Sequence, residues 1–280
     1  MGFATLSIIL GLSSAVVWGA GDFVSGITVK RNDLYLVTLL ESSISFVGLV
    51  LLALILGEPW LTFSDFMFGT LAGLAEVIGV LAFYYSLIRS PMGFVAPIVG
   101  FVTALVPLIY SLFTEGLPPI IQGIGILVAM VAVWFLSGEG EVGQIHWREF
   151  GFPVLSGVGL GGFLILIDRV SVGALYWPLG ASRLASLVVV VSLIYLRKGK
   201  GMHRPIQLWM ILVAGLLDAG GNALFVLAAQ VGRLDIVSVL TALYPAFTVF
   251  FAWLILGERL EAPQRKGVVL TLIALMLISA

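Results

Sequence analysis

Two acidic residues stand in the middle of long apolar stretches, where a carboxyl group is costly. Glu76 lies in "GLAEVIGVLAF" and Asp218 lies in "GLLDAGGNALF". A charged side chain at the centre of a bilayer costs about 2.5 to 3.5 kcal/mol on insertion scales, and such residues commonly serve ion or proton pathways. The two acids are therefore candidates to exchange protons as water reaches them from alternate sides. The structural alternative is a protonated acid that hydrogen-bonds a backbone carbonyl of a neighbouring helix.

A second pair of ionisable residues occupies equivalent depths in two other apolar stretches. Glu41 lies in "VTLLESSISF" and Arg183 in "LGASRLASLV", with the same separation along the chain as Glu76 and Asp218. The two side chains could form a buried ion pair that locks one conformation, or Arg183 could hold the carboxylate of a substrate. Arg183 could equally extend its long stem toward the lipid headgroups. The sequence leaves these three interpretations open.

Polar and aromatic side chains near these residues are further candidates for a binding site. Asn222 follows Asp218 by one helical turn, so it could hydrogen-bond the carboxyl group. Four aromatic residues lie well inside apolar stretches: Trp18, Tyr84, Tyr85 and Tyr244. They could stack on a substrate, although aromatic residues in membrane helices also fill space.

The composition excludes several classes of function. Of 280 residues, 60% are hydrophobic and 10% are charged, whereas soluble domains carry about 25% charged residues. The chain is thus predicted to be an integral membrane protein. It has no cysteine, and its two histidines, His146 and His203, lie in polar connections. We therefore expect no metal site, no cofactor, no catalytic residues and no enzymatic activity, and the net charge of -1 argues against nucleic acid as a partner.

Apolar windows predict ten membrane spans, and a backbone within lipid must satisfy its own hydrogen bonds as helices. The predicted spans lie near residues 4–26, 34–56, 66–88, 92–113, 118–137, 150–168, 174–196, 207–230, 234–256 and 263–280. The fold class is therefore an all-α integral membrane protein. We interpret residues 263–280 as a membrane span like the others. We interpret the first apolar run as a membrane span that stays in the protein and not as a signal peptide that is cleaved.

The two halves of the chain repeat each other. An alignment that places Gly73 on Gly215 also places Glu76 on Asp218. We therefore divide the chain into a first repeat at 1–137, a connecting loop at 138–149 and a second repeat at 150–280. Because each repeat holds an odd number of spans, the second enters the membrane from the opposite side, as in many secondary transporters.

Glycines and prolines within the spans predict packing and kinks. The stretch "GVGLGG" contains Gly157, Gly159 and Gly162. It matches a dinucleotide-binding pattern but lacks the strand that such a site requires, so we expect close helix packing instead. Three prolines fall inside the fourth and ninth spans and predict kinks there: Pro97, Pro107 and Pro245.

Basic residues predict the orientation of the chain. The connections between spans 1 and 2, 3 and 4, 5 and 6, 7 and 8, and 9 and 10, counted with Arg265 and Lys266 at the start of the tenth span, hold 11 Lys and Arg residues, against 2 in the other four. Cytoplasmic connections carry the excess of positive charge. The count therefore places both termini away from the cytoplasm.

Four stretches of the chain match a known family: "AVVWGAGDF", "ASRLASLVVV", "LIYSLFTEGLPPIIQGIG" and "LTALYPAFTVFFAWLILGERLEAPQRKG". By these stretches the chain resembles ten-span members of the drug/metabolite transporter superfamily that carry two EamA domains. The resemblance implies a carrier with a central cavity lined by spans 1, 3, 4, 6, 8 and 9, and with spans 5 and 10 at the periphery. It also implies both termini in the cytoplasm for some relatives, in conflict with the charge count. Relatives often have an arginine where this chain has Glu41.

We therefore expect a secondary active transporter in the cell (inner or plasma) membrane. Its expected partners are the lipid bilayer, a small metabolite, amino acid or drug-like solute, and protons as a coupling ion. Alternatives are an uncoupled facilitator and a non-transporting membrane interaction protein. A cavity lined by Glu76 and Asp218 would favour a carrier, whereas a solid, dry bundle would favour the interaction protein.

Overall fold

The structure, a computed structural model, describes residues 3–90, 92–136, 150–197, 207–256 and 262–278. Within these ranges the chain forms helices joined by short connections, and no strand occurs among them. The all-helical fold is thus confirmed for this part of the chain. The predicted loop at 138–149, with His146, lies outside the described residues, as does His203.

The helices follow the predicted spans in order along the chain. Their bounds are α1 Phe3–Val29, α2 Leu34–Ile55, α3 Phe63–Arg89, α4 Met92–Thr114, α5 Ile120–Leu136, α6 Gly151–Ile167, α7 Tyr176–Leu196, α8 Leu208–Val231, α9 Leu234–Thr241, α10 Tyr244–Leu256 and α11 Ala262–Ile278. Side chains fix two of the starts. Asp33 accepts hydrogen bonds from the first backbone N–H groups of α2, and Thr62 forms a capping box with Asp65 at the start of α3.

The ninth predicted span is two helices rather than one. α9 ends at Thr241 and α10 begins at Tyr244, and together they make up one apolar segment of membrane-spanning length, Leu234–Ile255. Pro245 has no backbone N–H to donate to the carbonyl of Thr241, four residues earlier, and its ring crowds that carbonyl. The break therefore lies where the proline predicted a kink.

Among the described residues, six helical segments are long and apolar enough to cross a membrane. They are Thr5–Val29, Leu34–Ile55, Phe63–Arg89, Tyr176–Leu196, Leu208–Val231 and Leu234–Ile255, the last of which joins α9 and α10. Three shorter apolar helices are Ile98–Thr114, Ile120–Ala132 and Gly151–Ile167. The chain is thus a multi-pass membrane protein by the length and composition of its helices.

Helices at equivalent positions of the two halves pack in equivalent ways. α1 packs on α8 as α6 packs on α3, and α2 packs on α8 as α7 packs on α3. A Cβ atom at Gly73 would overlap the carbonyl oxygen of Ser182, and one at Gly215 would lie 2.8 Å from the carbonyl oxygen of Glu41. Glycine at both positions lets the backbones approach. Helices that the alignment of the two halves pairs therefore make corresponding contacts, in addition to sharing residue types.

Candidate functional site

A cavity lies among the helices of both halves. Its atom-free space, counting the part open to solvent, is about 910 Å³. Its charged lining residues are Asp22, Glu41, Glu76, Arg183 and Asp218. Most of the lining comes from the later turns of α1 and α3 and the earlier turns of α2 and α8. The cavity is therefore nearer the end of the bundle that carries the α1–α2, α3–α4 and α7–α8 connections.

Seven of the nine candidate site residues from the sequence line this cavity. They are Trp18, Glu41, Glu76, Tyr84, Arg183, Asp218 and Tyr244. Trp18, Asp22 and Ser25 are spaced by about one helical turn, so they lie on one face of α1 and all three line the cavity. The lining differs from the expected set, because α2 and α7 also contribute to it. α5 and α11 pack against each other and contribute none of the described lining residues.

Arg183 joins the two acids that first indicated a site. Its Nη2 pairs with Oε2 of Glu76, and its Nη1 lies 3.1 Å from Oδ2 of Asp218. The side chains of Arg183 and Glu76 are 4% and 5% exposed, whereas that of Asp218 is 30% exposed. Water can therefore reach one of the two acids. Three helices, α3, α7 and α8, meet at this guanidinium.

Two interpretations of Arg183 were wrong. The ion pair with Glu41 does not form, because Arg183 is bound to Glu76 and Asp218. The extension toward lipid headgroups is also wrong, since the guanidinium is buried among helices. Arg183 is therefore a charged centre of the bundle.

Glu41 is held by two hydroxyl groups. Ser25 donates a hydrogen bond to Oε1 at 2.8 Å, and Tyr84 donates one to Oε2 at 2.6 Å. These bonds connect α2 to α1 and α3. Because a buried carboxylate is costly without such donors, the hydroxyl groups explain how Glu41 is accommodated in the bundle.

Asn222 supports Asp218 rather than lining the cavity itself. Its Nδ2 donates to Oδ1 of Asp218 at 2.9 Å and to the Asp218 carbonyl oxygen at 2.8 Å. The hydrogen bond expected from their spacing is thus present. It fixes the orientation of the carboxylate, and Oδ2 remains for Arg183.

The aromatic candidates divide into two groups. Trp18 stacks on Phe225 with ring centroids 6.1 Å apart and lines the cavity, as do Tyr84 and Tyr244. Tyr85 instead contacts Phe152, with centroids 4.4 Å apart, and is not among the described lining residues. Tyr85 therefore lies outside the described lining of this cavity.

Asp22 is an acid of the cavity that the sequence analysis did not select. The first span was predicted to end near residue 26, which would place Asp22 close to the membrane surface. Because α1 continues to Val29, Asp22 lies two turns inside the helix. Its spacing of four residues from Trp18 was the signal that could have identified it. No described residue forms a hydrogen bond or an ion pair with it.

Contacts between the two halves are found at the opposite end of the bundle. The carboxylate of Glu58 accepts hydrogen bonds from the backbone N–H groups of Tyr176 at 2.8 Å and Trp177 at 3.3 Å, at the start of α7. A carboxylate at a helix N-terminus is stabilised by the unpaired N–H groups and the helix dipole. Trp60 stacks on Trp177 with centroids 4.5 Å apart. These contacts bind the α2–α3 connection to α7.

Two further contacts at this end cross between the halves. Oδ1 of Asp65 accepts from the backbone N–H of Ser171 at 2.7 Å. Arg233 donates from Nη2 to the Gly116 carbonyl oxygen at 2.9 Å. The short connections at this end are thus tied to one another by polar groups.

Apolar helices in two similar halves, around a charged cavity, define a multi-pass membrane protein built from a repeat. The chain belongs to the EamA-like transporter family, which matches residues 5–138 and 152–280. Both halves of the chain are therefore EamA repeats, and the resemblance found in the sequence is confirmed.

Two similar proteins bear on the repeat and the fold. An uncharacterized protein of Methanocaldococcus jannaschii is 27% identical over 135 residues, which are 47% of this chain and 96% of that protein. That relative thus corresponds to about half of this chain. A crystal structure of a protein superposes with a TM-score of 0.73 at 15% identity, covering 97% of this chain and 95% of that chain. The latter similarity shows a shared fold.

Proposed function

We propose that the protein is a secondary carrier that moves a small solute across the cell membrane by alternating access. The observation that carries the proposal is the cavity between the two EamA repeats, which holds ionisable residues among apolar helices. Ionisable groups within a membrane bundle commonly mark a substrate or ion pathway. A solid bundle, as expected for a purely structural interaction protein, would leave no such space.

The contacts at the opposite end of the bundle support alternating access. Glu58 and Trp60 bind the α2–α3 connection to the start of α7, on the side away from the cavity. These are a few polar and aromatic contacts at short connections, and rearranging them requires no new fold. In this proposal they form a gate that opens when the cavity closes on its other side.

The proposed topology has ten spans, with α9 and α10 forming one of them. It consists of two inverted repeats at 1–137 and 150–280, joined by the connection at 138–149. The side rich in Lys and Arg, with 11 of these residues against 2, is cytoplasmic. The cavity then faces the cytoplasm.

Proton coupling is assigned to Asp218, with Glu76 as its buried partner on Arg183. The two acids differ in exposure, 30% against 5%, so protons reach Asp218 more readily. Protonation of Asp218 removes one of the two charges that hold Arg183 between α3 and α8. A proton is thereby linked to the relative position of helices from both repeats.

An uncoupled facilitator is the second candidate, and one observation favours it. Both acids are ion-paired to Arg183, so both could remain ionised and serve only to join the helices. In that case solute flux follows the solute gradient and does not respond to pH.

The test uses purified protein in liposomes, incubated with a complex metabolite extract with and without an imposed pH gradient. Mass spectrometry identifies the solutes that accumulate. We expect accumulation that requires the gradient and is lost in Asp218→Asn. The matched control is Asp168→Asn, a carboxyl-to-amide change at a residue that does not line the cavity.

Three results distinguish the candidates. Gradient-dependent accumulation that persists in Asp218→Asn ends the assignment of coupling to that residue. Equilibration that ignores the gradient identifies a facilitator. Absence of any protein-dependent entry contradicts a carrier and favours an interaction protein.

A further inference from the structure

Acidic groups outnumber basic groups in the part of the cavity wall that the structure describes. Four carboxyl groups and one guanidinium are among the described lining residues. The guanidinium is bound by Glu76 and Asp218. Glu41 has neutral donors only, the hydroxyl groups of Ser25 and Tyr84. The described lining therefore holds more carboxyl groups than basic groups, in a site surrounded by apolar helices.

Asp22 has the fewest stabilising contacts of these four acids. It is half-buried and faces the cavity, and no described residue gives it a hydrogen bond or an ion pair. Glu41 and Asp218 line the same cavity as Asp22. A carboxylate in low-dielectric surroundings, with other carboxylates nearby, is stabilised most by a cation that enters beside it.

An independent observation points to a ligand at the same place. The hydroxyl group of Tyr244 is buried and has no hydrogen-bond partner, and the residue is 4% exposed. Tyr244 lines the cavity, and Asp22 is within electrostatic range of its hydroxyl. Buried hydroxyl groups in proteins are nearly always hydrogen-bonded, so an unpartnered one facing a cavity indicates a group that binds there.

The first half contributes a second such hydroxyl. Thr103 is 2% exposed, lines the cavity, and its Oγ1 has no hydrogen-bond partner. The alignment of the two repeats places Thr103 of α4 on Pro245 of α10, the residue directly after Tyr244. The two repeats thus each direct one unsatisfied hydroxyl into the same space.

We propose that the cavity binds an organic cation, a protonated amine with a small apolar body, whose ammonium group contacts Asp22 and Tyr244. This inference rests on the proposed carrier function and names its substrate class. The apolar body would lie among the aromatic rings of Trp18, Phe83 and Tyr84, which line the same cavity. Aromatic faces attract cations as well as apolar groups.

Other classes of ligand fit less well. An anion would have to displace Glu76 or Asp218 from Arg183, the one basic residue of the described lining. A metal ion needs a set of converging ligands, and the described residues contain no group of three or more His, Asp or Glu side chains that could hold one. An amine needs only one carboxylate and a hydroxyl acceptor.

Three small molecules with the same ring and chain test the charge of the ligand. They are phenethylamine, which is a cation at neutral pH, 2-phenylethanol, which is neutral, and phenylacetate, which is an anion. Binding to the purified protein in detergent is measured by titration calorimetry. We expect phenethylamine to bind about tenfold or more tightly than either analogue, since a hydrogen bond to a charged group is worth that much.

Substitutions test whether Asp22 and Tyr244 contact the ammonium group of the ligand. Asp22→Asn should weaken phenethylamine binding by about tenfold or more, and Tyr244→Phe should weaken it severalfold. Asp168→Asn is the matched control and should bind as the parent does. Thermal unfolding of each variant checks the fold. If Asp22→Asn is unfolded, Asp22→Glu, which keeps the charge but moves it, replaces it and should also weaken binding.

Several outcomes overturn the inference. It is overturned if phenylacetate or 2-phenylethanol binds more tightly than phenethylamine, or if none of the three binds. It is also overturned if folded Asp22 variants bind phenethylamine as tightly as the parent does. The liposome experiment separates this failure from that of the carrier. If only anionic or neutral solutes accumulate, the carrier function is supported and the organic cation as substrate is contradicted. If the amine binds but no solute is transported, the binding site is supported and the carrier function is contradicted.

Discussion

Glu76 and Asp218 occupy equivalent positions in the two repeats, and they bind opposite terminal nitrogens of one guanidinium. Arg183 pairs with Glu76 through Nη2 and with Asp218 through Nη1. The three residues come from α3, α8 and α7, so one side chain connects both halves of the chain. The carboxylates on which a carrier mechanism would depend are therefore also groups on which the stability of the bundle depends.

Loss of Arg183 should strongly destabilise the protein. Arg183→Gln leaves two carboxylates without a cation, and removing one partner of a buried ion pair costs about 3 to 5 kcal/mol. Thermal unfolding in detergent measures the effect. The triple variant Arg183→Met, Glu76→Gln and Asp218→Asn removes all the charges together and should recover much of the lost stability. Equal stability of Arg183→Gln and the parent would contradict the role of the guanidinium.

The hydroxyl group of Tyr84 should stabilise the bundle through Glu41. Tyr84→Phe keeps the ring and removes the 2.6 Å hydrogen bond to Oε2. Leaving a buried charged acceptor partly unsatisfied costs about 1 to 3 kcal/mol. Tyr85→Phe is the adjacent control, because Tyr85 contacts Phe152 and the guanidinium of Arg89 through its ring. Thermal unfolding should separate the two variants, and identical values would mean that Glu41 does not need this donor.

Two glycines of α6 should respond differently to alanine. A Cβ at Gly159 would lie 2.7 Å from the carbonyl oxygen of Ala75 on α3, whereas one at Gly162 would have its nearest neighbour, the Cβ of Ala75, at 3.6 Å. Gly159→Ala should therefore lower the unfolding temperature, because α3 and α6 must separate.

Gly162→Ala is the control for helix propensity. Alanine is favoured over glycine inside a helix by about 1 kcal/mol, and the site has room for it. We expect unchanged or higher stability by the same unfolding measurement. Equal destabilisation by both substitutions would show that the close contact of α3 and α6 is not the cause.

The contacts of Glu58 should keep one end of the bundle closed. The chain has no cysteine, so Ser42→Cys introduces a single reactive thiol on the cavity wall. A membrane-impermeant maleimide, applied to oriented vesicles from each side, reports access. We expect faster labelling from the side of the α1–α2 connection.

Adding Glu58→Gln should raise labelling from the other side by about two- to tenfold, because the amide loses the interaction of a charge with the α7 N-terminus. Asp33→Asn is the control, since Asp33 caps α2 at the opposite end. The gate is contradicted if Glu58→Gln and Asp33→Asn leave labelling from that side equally slow.

The sequence alone determined the helical fold and most of the candidate site. Apolar length selects membrane helices, because a backbone in lipid has no other partner for its hydrogen bonds. The cost of a charge in that setting singled out Glu41, Glu76, Arg183 and Asp218, and all four line one cavity. The repeat could be detected in the sequence because both halves make the same helix contacts, and these contacts need glycine where two backbones approach each other.

Only the tertiary structure decided which charges pair. Arg183 could have met Glu41, its equivalent in the other repeat, yet the packing of α7 against α3 places it on Glu76. Asp22 was missed because the depth of a residue depends on where its helix ends, and α1 extends to Val29. Pairing and depth depend on contacts between distant segments, and composition and spacing along one helix do not contain them.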